Sequence, residues 1–302
     1  MAYPGRHSHR RLPVPVMPVL ALIFNALVWG LSWWPFRQFQ AAGLHPLWAT
    51  ACFYVLSWLV IAVARPQAWR ELLRTPGLWV VMLAAGATNT FFNWGVATGD
   101  VVRVVLLFYL MPLWAVLFAR LLLGEALTAM AALRMLLALG GAALVLKPAG
   151  GGWPMPASLS DWLGVAGGIC FALNNVMLRR EAGRSPEGRA LAMFSGGIFV
   201  SGGAALVMAT QGLVPWPVSQ DPWLLLALLG MAVLFFFSNL SLQYGAARLP
   251  ANVTAVVMLC EVVFAAVSSL CWGGGVLDSR TALGGLGIVA AALLAAAERR
   301  RR

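Results

Sequence analysis

Long apolar stretches recur along the whole chain and decide what it can fold into. Hydrophobic residues make up 61% of the chain and charged residues only 10%, so a fold in water could not hide this much apolar surface. Most stretches are about 17 to 23 residues long, which suits the hydrocarbon core of a bilayer. Lipid offers no partner to backbone polar groups, so each stretch is predicted to be a helix. The ten predicted spans are 16–36, 47–64, 78–97, 101–123, 129–146, 160–178, 190–209, 222–244, 253–272 and 282–297.

The basic residues between these stretches predict how the chain is oriented. They concentrate before the first span, between spans two and three, between spans six and seven, and at Arg299–Arg302 behind the last span. Basic loops stay in the cytoplasm, so both termini are predicted to be cytoplasmic. The net charge of +11 is therefore spread over alternate loops, which argues against nucleic-acid binding. No small-residue cleavage pattern follows the first span, and we expect that span to be retained.

A polar, proline-rich segment divides the chain into two sets of five predicted spans. We predict a cytoplasmic segment at 1–15, a first repeat at 16–147, a periplasmic linker at 148–159, a second repeat at 160–297 and a basic tail at 298–302. Because five is odd, the second set enters the membrane in the opposite orientation. The predicted fold is thus an all-α membrane protein built as an inverted repeat, a common construction in transporters.

Polar and glycine positions support the repeat, because from Asn89 onward they coincide at one offset between the halves, whereas earlier in the halves the offset is smaller. The coinciding pairs are Asn89 with Asn239, Asn93 with Gln243, and Gly95 with Gly245. Other glycines, at Gly164 and Gly168 and at the pairs Gly140–Gly141 and Gly284–Gly285, predict close helix packing. The alternative is that they form a dimer interface, although we expect a monomer.

Amide, hydroxyl and aromatic side chains within the spans predict a central polar cavity. Asn89 and Asn93 are four residues apart and share a helix face. Such side chains in lipid need partners or water, and the alternative role is hydrogen bonding between helices. The candidate cavity residues are Trp29, Ser32, Trp33, Asn89, Asn93, Tyr109, Asn174, Asn175, Asn239, Gln243 and Glu261.

Glu261 is the only carboxylate deep in a predicted span. It is a candidate proton carrier or substrate contact, and the alternative is a protonated structural residue. Pro112 is predicted to kink the fourth span and to serve gating. Arg103, at the start of that span, is expected to reach the membrane surface rather than line the cavity.

The spans lack the residue sets that carry enzyme chemistry, since none contains a serine in a nucleophile-elbow setting. The three histidines lie outside them, and the four cysteines lie within them without metal-binding spacing. The sequence contains no phosphate-binding loop of the P-loop type. We therefore predict no enzyme activity, no cofactor and no metal. An intramembrane transferase and a membrane scaffold without transport are the alternatives of other classes.

Several motifs resemble the EamA-type branch of the drug/metabolite transporter superfamily. Trp29-Gly30 is similar to the Trp-Gly pair of that family, and Leu110-Met111-Pro112 followed by Leu123-Gly124-Glu125 is similar to its proline and Leu-Gly-Glu signature. In the second half Tyr244-Gly245 and Glu261 match, but Val262 replaces the proline and Gly273-Gly274-Gly275 replaces Leu-Gly-Glu. That departure weakens arguments from symmetry about the ninth span.

Within that branch the chain is most similar to the YddG-type amino-acid exporters of the bacterial inner membrane. The resemblance implies export of aromatic and other amino acids by alternating access, with the possibility of proton coupling. Neutral amides and aromatic faces suit a zwitterion, whereas a phosphorylated substrate would need several deep Lys or Arg side chains. A different small metabolite or drug is the alternative substrate. The expected partners are the substrate and membrane lipid.

Overall fold

All regular structure in the described part of the chain is helical. The computed structural model describes residues 16–125, 128–147, 153, 155–217, 221–246, 248–249 and 257–298. Its helices are α1 (Val16–Leu31), α2 (Trp33–Ala41), α3 (Pro46–Ala64), α4 (Gln67–Arg74), α5 (Pro76–Thr98), α6 (Val101–Phe108), α7 (Met111–Leu123), α8 (Ala129–Leu146), α9 (Leu159–Arg180), α10 (Pro186–Thr210), α11 (Pro222–Ala246), α12 (Cys260–Trp272) and α13 (Ser279–Glu298).

Seven helical segments of the described chain are long and apolar enough to cross a membrane. They comprise α3, α8, α9, α10, most of α11, the joined α1–α2 and the joined α6–α7. The remaining predicted spans coincide with α5, α12 and α13. The last two are shorter apolar helices. α5 has 23 residues but carries Thr88, Asn89, Thr90 and Asn93, which lower its mean hydropathy. A multi-pass membrane protein is thus supported, and ten crossings stay a prediction.

Two of the predicted continuous helices are broken. At the α1–α2 junction, the Ser32 hydroxyl donates to the Trp29 carbonyl oxygen at 2.7 Å. At the α6–α7 junction, Tyr109 and Leu110 form a turn before Pro112, which occupies the first turn of α7. Proline has no N–H and cannot continue the preceding helix. The helix is therefore interrupted one turn ahead of the proline, and a gating role for Pro112 stays a prediction.

The helix contacts keep their pattern when the two halves are exchanged. The exchange swaps α1 with α9, α3 with α10, α5 with α11, α6–α7 with α12, and α8 with α13. Under it, the contact of α1 with α11 becomes that of α9 with α5, and the contact of α1 with α12 becomes that of α9 with α6–α7. The contacts of α3 with α10 and of α8 with α13 map onto themselves. This is the pattern that a two-fold repeat predicts.

Glycines allow two of these helix pairs to approach closely, as predicted. A Cβ at Gly141 would lie 2.5 Å from the carbonyl oxygen of Gly284, and one at Gly284 would lie equally close to the carbonyl of Gly141. A Cβ at Gly164 would lie 2.9 Å from the Val104 carbonyl oxygen. Gly168 meets the Phe108 carbonyl in the same way. These glycines are therefore packing residues between α8 and α13 and between α6 and α9.

The connecting loops gather on two faces of the molecule. On one, Arg65 pairs with Glu187 at 3.5 Å, and the Ser185 hydroxyl bonds to Glu71. We call this the arginine-rich face, and it carries the loops 65–75 and 180–185. On the other, the Val101 N–H donates to the Gly274 carbonyl at 3.0 Å. The grouping agrees with the predicted alternation of loops, and which face is cytoplasmic stays a prediction.

Candidate functional site

A cavity of about 790 Å³ lies between the two halves of the described structure. Both halves contribute to its wall, through α1, α3, α5, α6–α7, α8, α9, α10, α11, α12 and α13. The cavity residues predicted from the sequence lie on six of these elements, α1, α5, α6–α7, α9, α11 and α12. The helices α3, α8, α10 and α13 also contribute to the wall. A volume of this size holds a drug-sized molecule.

Aromatic rings form much of the inner wall. The ring centroids of Phe92 and Phe108 are 4.7 Å apart, and those of Phe108 and Phe171 are 5.3 Å apart. Trp29 lies 6.3 Å from Phe92 in the same measure. This row of four rings contains residues from both halves, because Phe171 lies on α9 of the second half and the other three rings belong to the first half. Such rings offer faces for stacking an apolar ligand and for attracting a cation.

Glu261 and Tyr109 form the polar contact at the inner end of the cavity. The Tyr109 hydroxyl donates to Oε2 of Glu261 at 3.2 Å. Both side chains are buried, with 3% and 8% of their surface exposed. The turn between α6 and α7 positions the tyrosine, and the first turn of α12 positions the glutamate. The contact therefore joins the two halves at the floor of the cavity.

Two asparagines on the cavity wall have an acceptor without a hydrogen bond among the described residues. The Asn25 amide nitrogen donates to the carbonyl oxygen and the hydroxyl of Ser238, at 3.0 and 2.7 Å. The carbonyl acceptor fixes the amide orientation, and Oδ1 of Asn25 is left without a partner. Oδ1 of Asn174 is likewise buried and unpartnered. Such a group costs about 1–3 kcal/mol, and a ligand N–H donor could recover part of this cost.

The opposite end of the cavity reaches the arginine-rich face. Glu125, Arg134 and Arg179 line it there. Arg179 Nη2 lies 2.6 Å from Glu125 Oε1, and the two side chains are 48% and 36% exposed. An ion pair this exposed contributes little to stability. The pair links the end of α7 to the end of α9, so it stands at the mouth of the cavity.

A network of contacts closes the molecule on the face opposite the mouth. Arg37 donates to the carbonyl oxygens of Gly99 and Gly274, the latter at 3.1 Å. Its guanidinium also lies 5.0 Å from the ring centroid of Trp33. These carbonyls follow α5 and α12, where a positive charge complements the helix dipoles. None of these four residues lines the cavity, and we call them the outer seal.

Residues 16–147 match the EamA-like transporter family. We call this stretch, which is less than half of the chain, the EamA-like domain after the family that it matches. The crystal structure of another protein aligns with 94% of this chain and 98% of its own length, with a TM-score of 0.56 and 22% identity. That likeness shows a shared fold alone. No curated protein matches the chain.

Most of the predicted cavity residues line the cavity, in the EamA-like domain as in the second half. They are Trp29, Asn89, Tyr109, Asn174, Asn175, Asn239 and Glu261, and Pro112, which was predicted only as a kink, lines the cavity as well. Asn89 accepts a hydrogen bond from the Tyr54 hydroxyl at 2.7 Å and donates to the Ala85 carbonyl at 2.8 Å. The side chain of Gln243 lies outside the described residues.

Three predicted cavity residues of the EamA-like domain lie behind the wall instead. Asn93 is fully buried and donates to the Thr50 hydroxyl at 3.1 Å, because α3 crosses α5 at that level. The indole N–H of Trp33 donates to the Ser268 hydroxyl at 2.9 Å, which places it in the outer seal. Ser32 lies in the α1–α2 turn and bonds to Trp29. The alternative role of hydrogen bonding within and between helices is therefore the correct one for these residues.

Arg103 does not line the cavity, as expected, but it is held by neighbouring helices rather than extended to the surface. Its guanidinium donates to both carboxylate oxygens of Asp161, at 2.6 and 2.9 Å, and to the Val145 carbonyl at 2.8 Å. It thereby ties α6 to α8 and α9 near the outer seal.

The list of candidates from the sequence lacked several residues of the wall. Tyr54, Phe92, Phe108 and Phe171 look like core aromatics in an apolar stretch, since hydropathy does not separate a lipid-facing ring from a cavity-facing one. Arg134 had a usable signal, because a basic residue in the second turn of α8 is costly in lipid unless water is near.

Proposed function

We propose that the protein is a multi-pass inner-membrane transporter that exports amino acids, aromatic ones among them, by alternating access. The observation that carries the proposal is one cavity between two similarly connected halves, with a mouth at one face and a seal at the other. The EamA-like domain supports a transporter of the drug/metabolite superfamily. The basic loops at the mouth support its placement at the cytoplasm.

The chemistry of the wall supports a substrate without phosphate groups. The inner wall is made of aromatic rings, neutral amides and one carboxylate, and its two arginines stand near the mouth. A phosphoryl group would favour arginines around the floor instead. Amides and a carboxylate suit the polar end of an amino acid, and the rings suit a large apolar side chain.

Alternating access requires the two ends to exchange their roles. In the present state the mouth is open and the outer seal is closed. Export would require α7 and α9 to approach at the mouth while the contacts of Arg37 with Gly99 and Gly274 separate. The break at Tyr109 and Leu110 supplies a place where α7 can move relative to α6. Pro112 lies in the first turn after that break.

Counterflow in proteoliposomes tests this proposal. Purified protein is reconstituted into vesicles preloaded with unlabelled phenylalanine, threonine, lysine or glutamate, and the uptake of labelled phenylalanine is followed. We expect uptake well above that of protein-free vesicles with phenylalanine inside, and weaker uptake with glutamate. Uptake no faster than in protein-free vesicles with every amino acid would contradict amino-acid transport.

Proton coupling is tested in the same vesicles by imposing a pH gradient without a substrate gradient. Accumulation of phenylalanine that collapses with a protonophore would show coupling. Equilibration to equal concentrations with or without the gradient would show facilitated transport.

A further inference from the structure

The charged side chains of the cavity are divided between its two ends. Four such side chains line it among the described residues. Glu261 lies at the floor, whereas Glu125, Arg134 and Arg179 lie toward the mouth. α7 runs between these ends with Pro112, Ala115, Val116 and Ala119 along the wall. A helix rises about 1.5 Å per residue, so the 13 residues of α7 separate the two ends by roughly 20 Å.

This separation decides which groups of one ligand can be bound together. The ammonium and carboxylate of an α-amino acid are attached to the same carbon. An ammonium seated on Glu261 would therefore leave its carboxylate out of reach of the Arg179 side chain at the mouth. At the floor itself, Glu261 bonds to Tyr109, so a ligand carboxylate seated beside it would meet a second carboxyl group.

The floor itself is equipped for a hydrogen-bond donor. Tyr109 occupies Oε2 of Glu261, and the other carboxylate oxygen has no hydrogen bond among the described residues. Asn25 on α1 and Asn174 on α9 add Oδ1 atoms without partners. The aromatic wall adds ring faces that attract a cation. All these features favour an ammonium group on an apolar body.

We infer that the cavity recognises its ligands by the ammonium group and the apolar body, and that the carboxylate is dispensable. Primary alkylamines that carry an aromatic ring, such as phenethylamine, are then ligands of the same site. This inference rests on the proposed function, since it concerns the substrate of that cavity. If the substrate is a different small metabolite or drug, the inference predicts that this substrate is an amphipathic amine.

Three small-molecule probes with the same phenyl ring distinguish the contribution of the ammonium group to binding from that of the carboxylate. Phenylalanine carries both, phenethylamine carries only the amine, and 3-phenylpropionate carries only the carboxylate. Binding of each to the purified full-length protein is measured by calorimetry in detergent. We expect Kd values for phenylalanine and phenethylamine within tenfold of each other, and at least tenfold weaker binding of 3-phenylpropionate. Equal or tighter binding of 3-phenylpropionate, or failure of phenethylamine to bind where phenylalanine does, would overturn the inference.

The variant Glu261→Gln tests the role of the floor carboxylate. We expect it to weaken phenethylamine binding at least tenfold and to change 3-phenylpropionate binding much less. Glu187→Gln is the matched control, because that glutamate lies on the surface with Arg65 and outside the cavity wall. An unchanged Kd for phenethylamine in folded Glu261→Gln would overturn the inference. If this variant does not fold, the three probes on the native protein still decide.

The outcome also separates this inference from the proposed function. Counterflow of phenylalanine together with no binding of phenethylamine would remove the inference and leave the transporter intact. Binding of phenethylamine without any amino-acid counterflow would remove amino-acid export and leave amine recognition standing. Absence of binding by all three probes would overturn the inference.

Discussion

The polar side chains on and behind the cavity wall fall into two groups according to the residues that they contact. Tyr109 and Glu261 contact each other across the two halves, and Asn89 contacts Tyr54 within the first half. Asn93 shares the helix of Asn89, yet it bonds to Thr50 away from the cavity. The first group faces the ligand space and the second fastens helices together, so substitutions in the two groups should affect different measurements.

Replacing Tyr109 with phenylalanine removes the donor to Glu261 while keeping the ring. A hydrogen bond to a carboxyl group contributes about 1–3 kcal/mol, so we expect the KM for phenylalanine counterflow to rise roughly tenfold. Tyr244→Phe is the matched control, because Tyr244 lies on the exposed surface of α11, outside the cavity wall. An unchanged KM in Tyr109→Phe would show that the hydroxyl does not position the glutamate.

Leucine substitutions at Asn89 and Asn93 should have different consequences. We expect Asn93→Leu to lower the free energy of unfolding by about 1–3 kcal/mol, since it leaves the buried Thr50 hydroxyl without its donor. The KM of the folded protein should stay unchanged. Asn89→Leu should raise the KM, because the side chain faces the cavity. Thermal unfolding and counterflow of the same preparations compare the two, and a higher KM in Asn93→Leu would place that side chain in the cavity.

At the scale of elements, close contacts between helices depend on particular glycines. Two glycines that are adjacent in the sequence can face different surroundings, so only one of them is needed for the contact. Gly140 and Gly141 are adjacent on α8, yet a Cβ at Gly140 would meet nothing within 4 Å. A Cβ at Gly141 would meet the backbone of α13 at 2.5 Å. Only one of the two glycines is therefore required by packing.

Alanine substitutions at these two positions should change stability in opposite directions. We expect Gly141→Ala to destabilise the fold by about 1–3 kcal/mol, because α8 and α13 must move apart. Gly140→Ala should stabilise it by roughly 0.5–1 kcal/mol through the lower backbone entropy of the unfolded chain. Thermal unfolding in the same detergent measures both. Equal effects at the two positions would contradict the described α8–α13 contact.

The sequence predicted elements better than it predicted the direction of side chains. Apolar stretches predict helices because lipid leaves the backbone no other partner, and glycine spacing predicts the close pairs. The cavity wall depends on which face of each helix turns inward. Ser32 and Trp33 show the difficulty, because at the break after α1 their side chains bond to Trp29 and Ser268 instead of lining the cavity. The closeness of Arg37 to Gly99 and Gly274 depends on residues far apart in the chain, which no local pattern reveals.

At the scale of the whole molecule, the open mouth and the outer seal correspond to one of the two states of the proposed alternating-access cycle. Arg37 joins α2 to the ends of α5 and α12, which belong to different halves. Its two hydrogen bonds to carbonyls are available only while those ends are together. The side chain should therefore stabilise the described state relative to one that opens on the other face.

Arg37→Ala should shift the protein toward that second state. A single cysteine at Ala115 on the cavity wall, with the four native cysteines replaced by serine, reports access. In intact cells an impermeant maleimide reaches only the face predicted to be periplasmic. We expect labelling to become roughly tenfold faster in Arg37→Ala, which corresponds to a shift of about 1.4 kcal/mol. Lys147→Ala, which removes a positive charge from the same predicted side, is the control and should not change the rate. An unchanged rate in Arg37→Ala would show that the seal does not depend on this side chain.

The glutamate of the cavity floor has no counterpart in the other half, where Met111 occupies the corresponding position before Pro112. Exchanging the halves would therefore not reproduce the same floor, so the inward and outward forms of the binding site in the proposed cycle cannot be equivalent. A carrier whose two forms differ in this way can bind its substrate more tightly on one side of the membrane than on the other. If no ion gradient drives transport, this difference in affinity changes the substrate concentration at which transport from each side saturates. The substrate concentrations on the two sides still become equal at equilibrium.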